Sequence, residues 1–196
     1  MSDILCVTNR KLCREDFLTR IEKIASARPA GIILREKDLD EAEYMSLAKD
    51  VIKICKRYDT LCILHTFTEV AKELNSDALH LPLNILRTLS EKEKSRFSVL
   101  GVSCHSVEDA IYAQKQGCSY ITVGHIFDTD CKKGLPGRGL EFLKSVCESV
   151  SIPVYAIGGI TPDNICDIRK CGAYGACVMS GLMICDNVDE YLGELK

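Results

Sequence analysis

Residues 153–163 read Pro153-Val154-Tyr155-Ala156-Ile157-Gly158-Gly159-Ile160-Thr161-Pro162-Asp163. A β-rich apolar run ends at Ile157 and passes straight into two glycines, then into residues that open a helix. Residues 175–181, Gly-Ala-Cys-Val-Met-Ser-Gly, repeat the arrangement in shorter form. Working back from these two units, the same alternation of apolar run and amphipathic stretch runs to the start of the chain. Strands are expected at 4–8, 31–35, 61–65, 78–81, 98–102, 120–124, 153–157 and 175–179. Helices are expected between and after them at 15–28, 40–58, 67–75, 84–95, 106–117, 139–150, 162–171 and 181–195. In the second of these, Leu47, Val51, Ile54 and Cys55 share one face.

Eight such units close into a barrel or lie as an open doubly wound sheet. Three features favour the barrel: nearly uniform spacing, no strand followed by a G-x-G-x-x-G helix, and small-residue loops ending the last two units. The expected fold is therefore α/β, a compact (β/α)8 TIM barrel with short loops, and a single domain over residues 1–196. No linker, repeat or low-complexity segment divides it.

Composition narrows the partners. The chain carries 25 basic and 28 acidic side chains, a net charge of −3, and no cluster of Lys and Arg, which argues against a nucleic-acid face. No apolar stretch approaches the roughly 20 residues that a membrane helix needs, and the first residues lack a basic segment ahead of an apolar run, so neither membrane nor export is expected and the location is cytoplasmic. None of the 12 cysteines forms a C-x-x-C pair, which fits neither structural zinc nor a small disulfide scaffold. Cys6, Cys62, Cys166 and Cys177 lie in or beside apolar runs and read as core fillers, kept reduced.

Chemistry is expected at the strand ends. Gly158-Gly159 after strand seven and Met179-Ser180-Gly181 after strand eight bring bare backbone N–H groups to helix starts, where an anion such as phosphate binds. Arg35-Glu36-Lys37 follows strand two; Arg35 and Lys37 suit phosphate or carboxylate oxygens, and the alternative is a solvated loop with an internal ion pair. The longest and most polar loop runs from Val123 to Gly139. His125 at its base, with a reference pKa of roughly 6.5, suits proton transfer. His65, His80 and His105 have weaker claims.

These residues carry a resemblance. The segments L-R-E-K at 34–37, G-V-S-x-H-S at 101–106, V-G-H-I-F-x-T-x-C-K-K-G at 123–134, G-R-G-L at 137–140, I-P-V-x-A-I-G-G-I-T-P at 152–162 and V-M-S-G at 178–181 together resemble the thiamine phosphate synthase/TenI superfamily, in order and over nearly the whole chain. The resemblance implies a TIM barrel acting on thiazole phosphate. Its synthases couple a pyrimidine pyrophosphate to thiazole phosphate with Mg2+, and resemble N-D-R after strand three, H-L-G-Q-x-D after strand four and V-G-P-I-F-x-T-x-T-K in loop six. This chain has His65-Thr66-Phe67, His80-Leu-Pro-Leu-Asn-Ile85, His125 for Pro and Cys131 for the second Thr.

Those departures resemble the TenI-type thiazole tautomerases. The expected function is therefore an isomerase, a thiazole tautomerase that aromatises a thiazole carboxylate phosphate by proton transfer, without metal or cofactor. His125 is its catalytic residue, and Cys131 competes for the role. Arg35, Lys37, Ser103, Thr129, Lys132, Gly158, Gly159, Met179, Ser180 and Gly181 are the expected substrate contacts, with Arg138 as a further one. The partner is a small phosphorylated thiazole carboxylate, and a homodimer is the assembly to look for. Two alternatives stand beside this reading: a Mg2+-dependent thiamine phosphate synthase, and a non-catalytic regulatory barrel that binds thiazole phosphate.

Overall fold

A computed structural model describes residues 3–129, 132 and 134–195. Its strands are β1 (Ile4–Val7), β2 (Gly31–Leu34), β3 (Cys62–His65), β4 (Ala78–Pro82), β5 (Val99–Cys104), β6 (Tyr120–Gly124), β7 (Val154–Ile157) and β8 (Gly175–Val178). They form a closed barrel in sequence order, and the registered pairs are parallel. The expected (β/α)8 barrel is what the chain forms. By its packing the chain divides into two compact units, Met1–Leu79 with Val178–Lys196, and His80–Cys177.

In the first unit, α1 (Phe17–Ser26) and α2 (Glu41–Arg57) flank β2. Helix α2 begins at a capping box, in which Asp40 accepts from the Glu43 N–H while the Glu43 side chain reaches back to the Asp40 N–H. Its buried face is Tyr44, Ala48, Val51, Ile54 and Cys55. The expected Leu47 is only half-buried, whereas Tyr44 is fully buried. The Tyr44 hydroxyl donates to the Leu34 carbonyl at 2.6 Å and accepts from the His65 N–H at 2.8 Å. One phenol thus fastens the helix to the ends of β2 and β3 and meets the hydrogen-bonding needs of both strand ends.

In the second unit the register sets Thr122 of β6 beside Ser103 of β5 on one side and Tyr155 of β7 on the other. Helices α6 (Val107–Lys115) and α7 (Gly139–Ser149) cover these strands. Gly101 makes room for an aromatic ring: a Cβ there would lie 2.1 Å from Cζ of Tyr120.

Two expected helices are broken in two. The stretch 84–95 is α4 (Leu83–Leu86) and α5 (Glu91–Lys94), because Ser90 caps a new start with a box completed by Glu93. The stretch 181–195 is α9 (Ser180–Ile184) and α10 (Val188–Glu194), restarted by Asn187, whose side chain accepts from the Asp189 and Glu190 N–H groups. The remaining helices are α3 (Thr68–Glu73) and α8 (Ile165–Lys170), and a 3₁₀ turn at Arg10–Leu12 lies between the first expected strand and the first expected helix. Of the four cysteines expected as core fillers, Cys6 and Cys177 are buried, Cys62 is half-buried and Cys166 is exposed on α8. Burial pushes the Cys177 thiol well above its usual value.

The close fit at Gly101 is testable by stability. Gly101→Ala should cost about 1–3 kcal/mol as an overpacked core position. Gly193→Ala, in α10 with nothing within 4 Å of the new methyl, should instead gain about 0.5–1 kcal/mol from helix propensity. Urea unfolding of both variants checks this; equal midpoints would show that Tyr120 does not press on Gly101.

Candidate active site

The charged triplet after β2 is built around its acid. Glu36 is 2% exposed, accepts from the Thr8 hydroxyl at 2.7 Å, and takes the Arg10 backbone N–H at 3.0 and 3.1 Å on its two oxygens. The Arg10 guanidinium adds a third contact at 3.2 Å and then grips Asp38 with both nitrogens, at 2.7 and 2.8 Å. Lys11 reaches the same carboxylate at 2.8 Å. The Arg10 guanidinium and the Lys11 ammonium hold the Asp38 carboxyl far below the usual carboxylate range. The Thr8 hydroxyl also accepts from the Arg35 N–H at 2.9 Å. Arg35 is half-buried and Lys37 exposed, on either side of a buried anchor rather than in a solvated loop.

A second polar group lies in the other unit, on β4, β5 and β6. His80, 2% exposed, has Nδ1 3.0 Å from the Tyr120 hydroxyl and Nε2 2.9 Å from Oγ of Ser103. Oγ1 of Thr122 lies 3.3 Å from Oγ of Ser103 and 3.5 Å from His80 Nε2. Of these four side chains only Ser103 is half-exposed. Ser103 is an expected substrate contact; that His80, Tyr120 and Thr122 are joined to it is not apparent from the sequence.

Loop six, which follows β6, lies directly on loop seven, which follows β7. The Ile126 N–H donates to the Ile157 carbonyl at 3.0 Å and the Phe127 N–H to the Gly158 carbonyl at 3.1 Å. The Gly124–His125 peptide is cis. Farther along, the Arg138 and Gly139 N–H groups return to the His125 and Ile126 carbonyls at 2.9 and 3.0 Å, and Gly137 N–H reaches Asp128 Oδ1 at 2.7 Å. His125 Nε2 stands 3.2 Å from the Leu135 carbonyl oxygen, so this nitrogen carries the proton and donates to the loop itself. Thr129 is half-buried, its carbonyl accepting from the Lys132 N–H at 2.9 Å, and Lys132 is exposed. The Arg138 guanidinium stacks on the Phe142 ring with 4.7 Å to its centroid. Cys131 lies outside the described residues.

Gly158 and Gly159 both have positive φ, +99° and +66°. A Cβ on Gly158 would stand 2.3 Å from the His125 Cβ, and one on Gly159 2.5 Å from the Asp128 carbonyl oxygen. Packing alone therefore demands glycine at both positions. The turn is braced by Asn164, whose Oδ1 accepts from the Thr161 N–H at 2.9 Å and whose Nδ2 donates to the Gly159 carbonyl at 2.8 Å. Among the described residues, the N–H groups of Gly159 and Ile160 meet no protein acceptor. In the first unit, Met179 is half-buried and Ser180 exposed at the start of α9. Gly181 is glycine because a Cβ would fall 2.0 Å from the Tyr191 hydroxyl.

Mg2+ takes oxygen ligands, usually carboxylates with substrate phosphates. After β3 the chain offers His65, whose Nδ1 is 2.7 Å from the Thr66 hydroxyl, and then Phe67. After β4, which ends at Pro82, it offers Leu83, Asn84 and Ile85. Neither loop holds a carboxylate, and no three His, Cys, Asp or Glu side chains among the described residues converge as a metal site. These residues do not fit Mg2+.

Comparison with known proteins bears on what such a barrel does. Residues 4–182 match the TMP-TENI family, described as thiamine monophosphate synthase. The chain belongs to this family. An Aquifex aeolicus protein, described provisionally as thiamine-phosphate synthase 2, is 38% identical over 177 residues, 90% of this chain and 95% of that one. The thiamine-phosphate synthase of Clostridium tetani is 31% identical over 195 residues, 96% and 91% of the two chains. A solved structure, thiamine phosphate pyrophosphorylase from Pyrococcus furiosus, superimposes with a TM-score of 0.84 at 28% identity, covering 98% and 93%.

These matches correct the expected activity. Relatives alike over nine-tenths of their length are named thiamine-phosphate synthases, one of them provisionally, so the tautomerase reading, and with it the isomerase class, gives way to the transferase class. That reading rests on a few residues in three loops, two of them, His125 and Cys131, in loop six. The change at His125 has a local account, since its Nε2–H is tied to the Leu135 carbonyl of its own loop.

The Asp38 cluster predicts a pH dependence. Its carboxyl is depressed in the folded chain relative to about 3.9 when unfolded, so its contribution to stability is complete above that value and is lost as pH falls through the folded one. Asp38→Asn should flatten the acid limb of the stability curve below about pH 4, followed by urea unfolding at stepped pH. An acid limb identical to that of the wild type would contradict the arrangement.

Proposed function

We propose that this chain is a thiamine-phosphate synthase, a transferase that couples a pyrimidine pyrophosphate to thiazole phosphate with release of pyrophosphate. The observation that carries the reading is similarity to proteins of that name along nine-tenths or more of the chain. In the coupling, the bond to pyrophosphate breaks as the bond between the two rings forms, so the site must receive a leaving anion. The expected contacts are carried over as proposals in each unit by itself. In the second unit the unpaired Gly159 and Ile160 N–H groups suit a phosphate at the Gly158–Gly159 turn, with Ser103, Thr129 and Lys132 as further donors. In the first unit Arg35 and Lys37, on either side of the buried Glu36, suit anionic oxygens, together with Met179, Ser180 and Gly181 at the start of α9. His125 is proposed as a tie that shapes loop six.

The chain is proposed to act as one domain, in the cytoplasm. Among the described residues eleven cysteines are unbridged, which suits a reducing compartment, and no helix of these residues is long and apolar enough to cross a membrane. A homodimer is the proposed assembly, with Tyr174 at 60% exposure as an apolar contact to offer. The missing carboxylates after β3 and β4 favour one second reading, a barrel that binds thiazole phosphate without turnover.

The deciding experiment incubates the protein with both precursors, with and without Mg2+, and follows thiamine phosphate and pyrophosphate. Equal amounts of the two products are expected, with kcat lowered by roughly 10²-fold in Ser103→Ala as one anion-facing donor is removed. Binding of thiazole phosphate with no product under either condition would replace the synthase by the non-catalytic barrel.

A further inference from the structure

The Tyr120 ring is held in place from two sides. Gly101 leaves only enough space for it, and Tyr155 meets it edge-on with ring centroids 5.6 Å apart at 78°. Tyr120 is 5% exposed. Among the described residues its hydroxyl has one polar partner, Nδ1 of His80 at 3.0 Å. Burial keeps this phenol protonated far beyond the ordinary tyrosine range.

A phenol has one proton to donate, and a buried donor left unmet is costly. The Tyr120 proton therefore goes to Nδ1, which must be bare. The proton of a neutral His80 ring then sits on Nε2, directed at the Ser103 hydroxyl 2.9 Å away. Thr122 donates to the same oxygen at 3.3 Å. With both acceptor positions of Ser103 met from the buried side, its own proton turns to the side where the residue is exposed.

We propose that Tyr120 is a positioning residue: through His80 it sets the polarity of a relay that presents the Ser103 hydroxyl as a hydrogen-bond donor to an anionic phosphate oxygen of the substrate. The phosphate acceptor and the kinetic consequence rest on the synthase reading. The polarity of the relay is a property of the protein without ligand, and it can be measured separately.

The first measurement is the 15N spectrum of the histidine rings in uniformly labelled protein, with His80→Gln used to assign the His80 signals. The relay requires His80 to carry its proton on Nε2 with Nδ1 bare; a proton on Nδ1 overturns it whatever the kinetics show. The second uses wild type that turns over both precursors. Tyr120→Phe, which removes one oxygen from a retained ring, should lower kcat roughly tenfold, the scale of one well-placed hydrogen bond, with KM within twofold. His80→Gln, whose amide nitrogen can stand where Nε2 stands, should retain more kcat than His80→Asn, whose amide reaches only the Nδ1 position. Unchanged kcat in Tyr120→Phe, or equal losses in the two His80 variants, would overturn the relay. If the wild type forms no coupled product, the synthase reading falls and the ring spectrum still decides the relay.

Discussion

Backbone lies on backbone where loop six crosses loop seven, and no side chain of any size fits between them. The Ile126 and Phe127 N–H groups bond the carbonyls of Ile157 and Gly158, and the two glycines approach His125 and Asp128 so closely that even a methyl would collide. This contact decides the rest of the second unit's upper surface. It gives the longest loop a rigid base, brings Arg138 and Gly139 back to close the loop on itself, and leaves the Gly159 and Ile160 N–H groups facing away from any protein acceptor among the described residues. Glycine at 158 and 159 is thus a packing requirement, and the unpaired donors that suit an anion follow from it.

Elsewhere buried polar groups do the organising. Glu36 accepts from Thr8 and from the Arg10 main chain, which brings the ends of β1 and β2 together and leaves Arg35 and Lys37 on either side of a buried anchor. Tyr44 makes the corresponding link between β2 and β3 through one hydroxyl. In each case a polar side chain meets a strand end where the sheet's own hydrogen bonds run out, so its removal would leave a main-chain group unmet rather than merely lose a contact. Strand ends are also where a barrel meets its ligands, so in the proposed reading the groups that finish the fold also orient the site.

The barrel is legible in the sequence because its signal is local and repeated: eight apolar runs at nearly even spacing, each with a helix. The breaks at Ser90 and Asn187 are harder to read, since each cap lies inside a longer amphipathic stretch that looks continuous by period alone. The candidate site residues are legible in part. Ser103 and the Gly158–Gly159 turn stand in recognisable motifs, whereas the burial of Glu36 depends on Thr8 and Arg10, 28 and 26 residues away, and an acid inside a charged triplet looks solvated. His80 reads as a strand histidine because its partners are 23 and 40 residues distant. The activity misleads for a related reason. A few loop residues at 65–67, 82–85 and 125 outweigh, by motif, the likeness of the whole chain, and the Leu135 carbonyl that occupies His125 is ten residues on in an irregular loop.

Native-state hydrogen exchange resolved by residue tests most directly whether loop six is fixed by loop seven. The Ile126 and Phe127 amides, and those of Arg138 and Gly139 that close the loop, should be protected to the level of neighbouring amides in β6 and β7, because opening them requires lifting one backbone off another. The Gly134 amide, at an exposed turn where an added Cβ would meet nothing within 4 Å, should exchange freely in the same sample. Exchange of Ile126 and Phe127 as fast as Gly134 would show that the two loops part readily, and would contradict a site built on their contact.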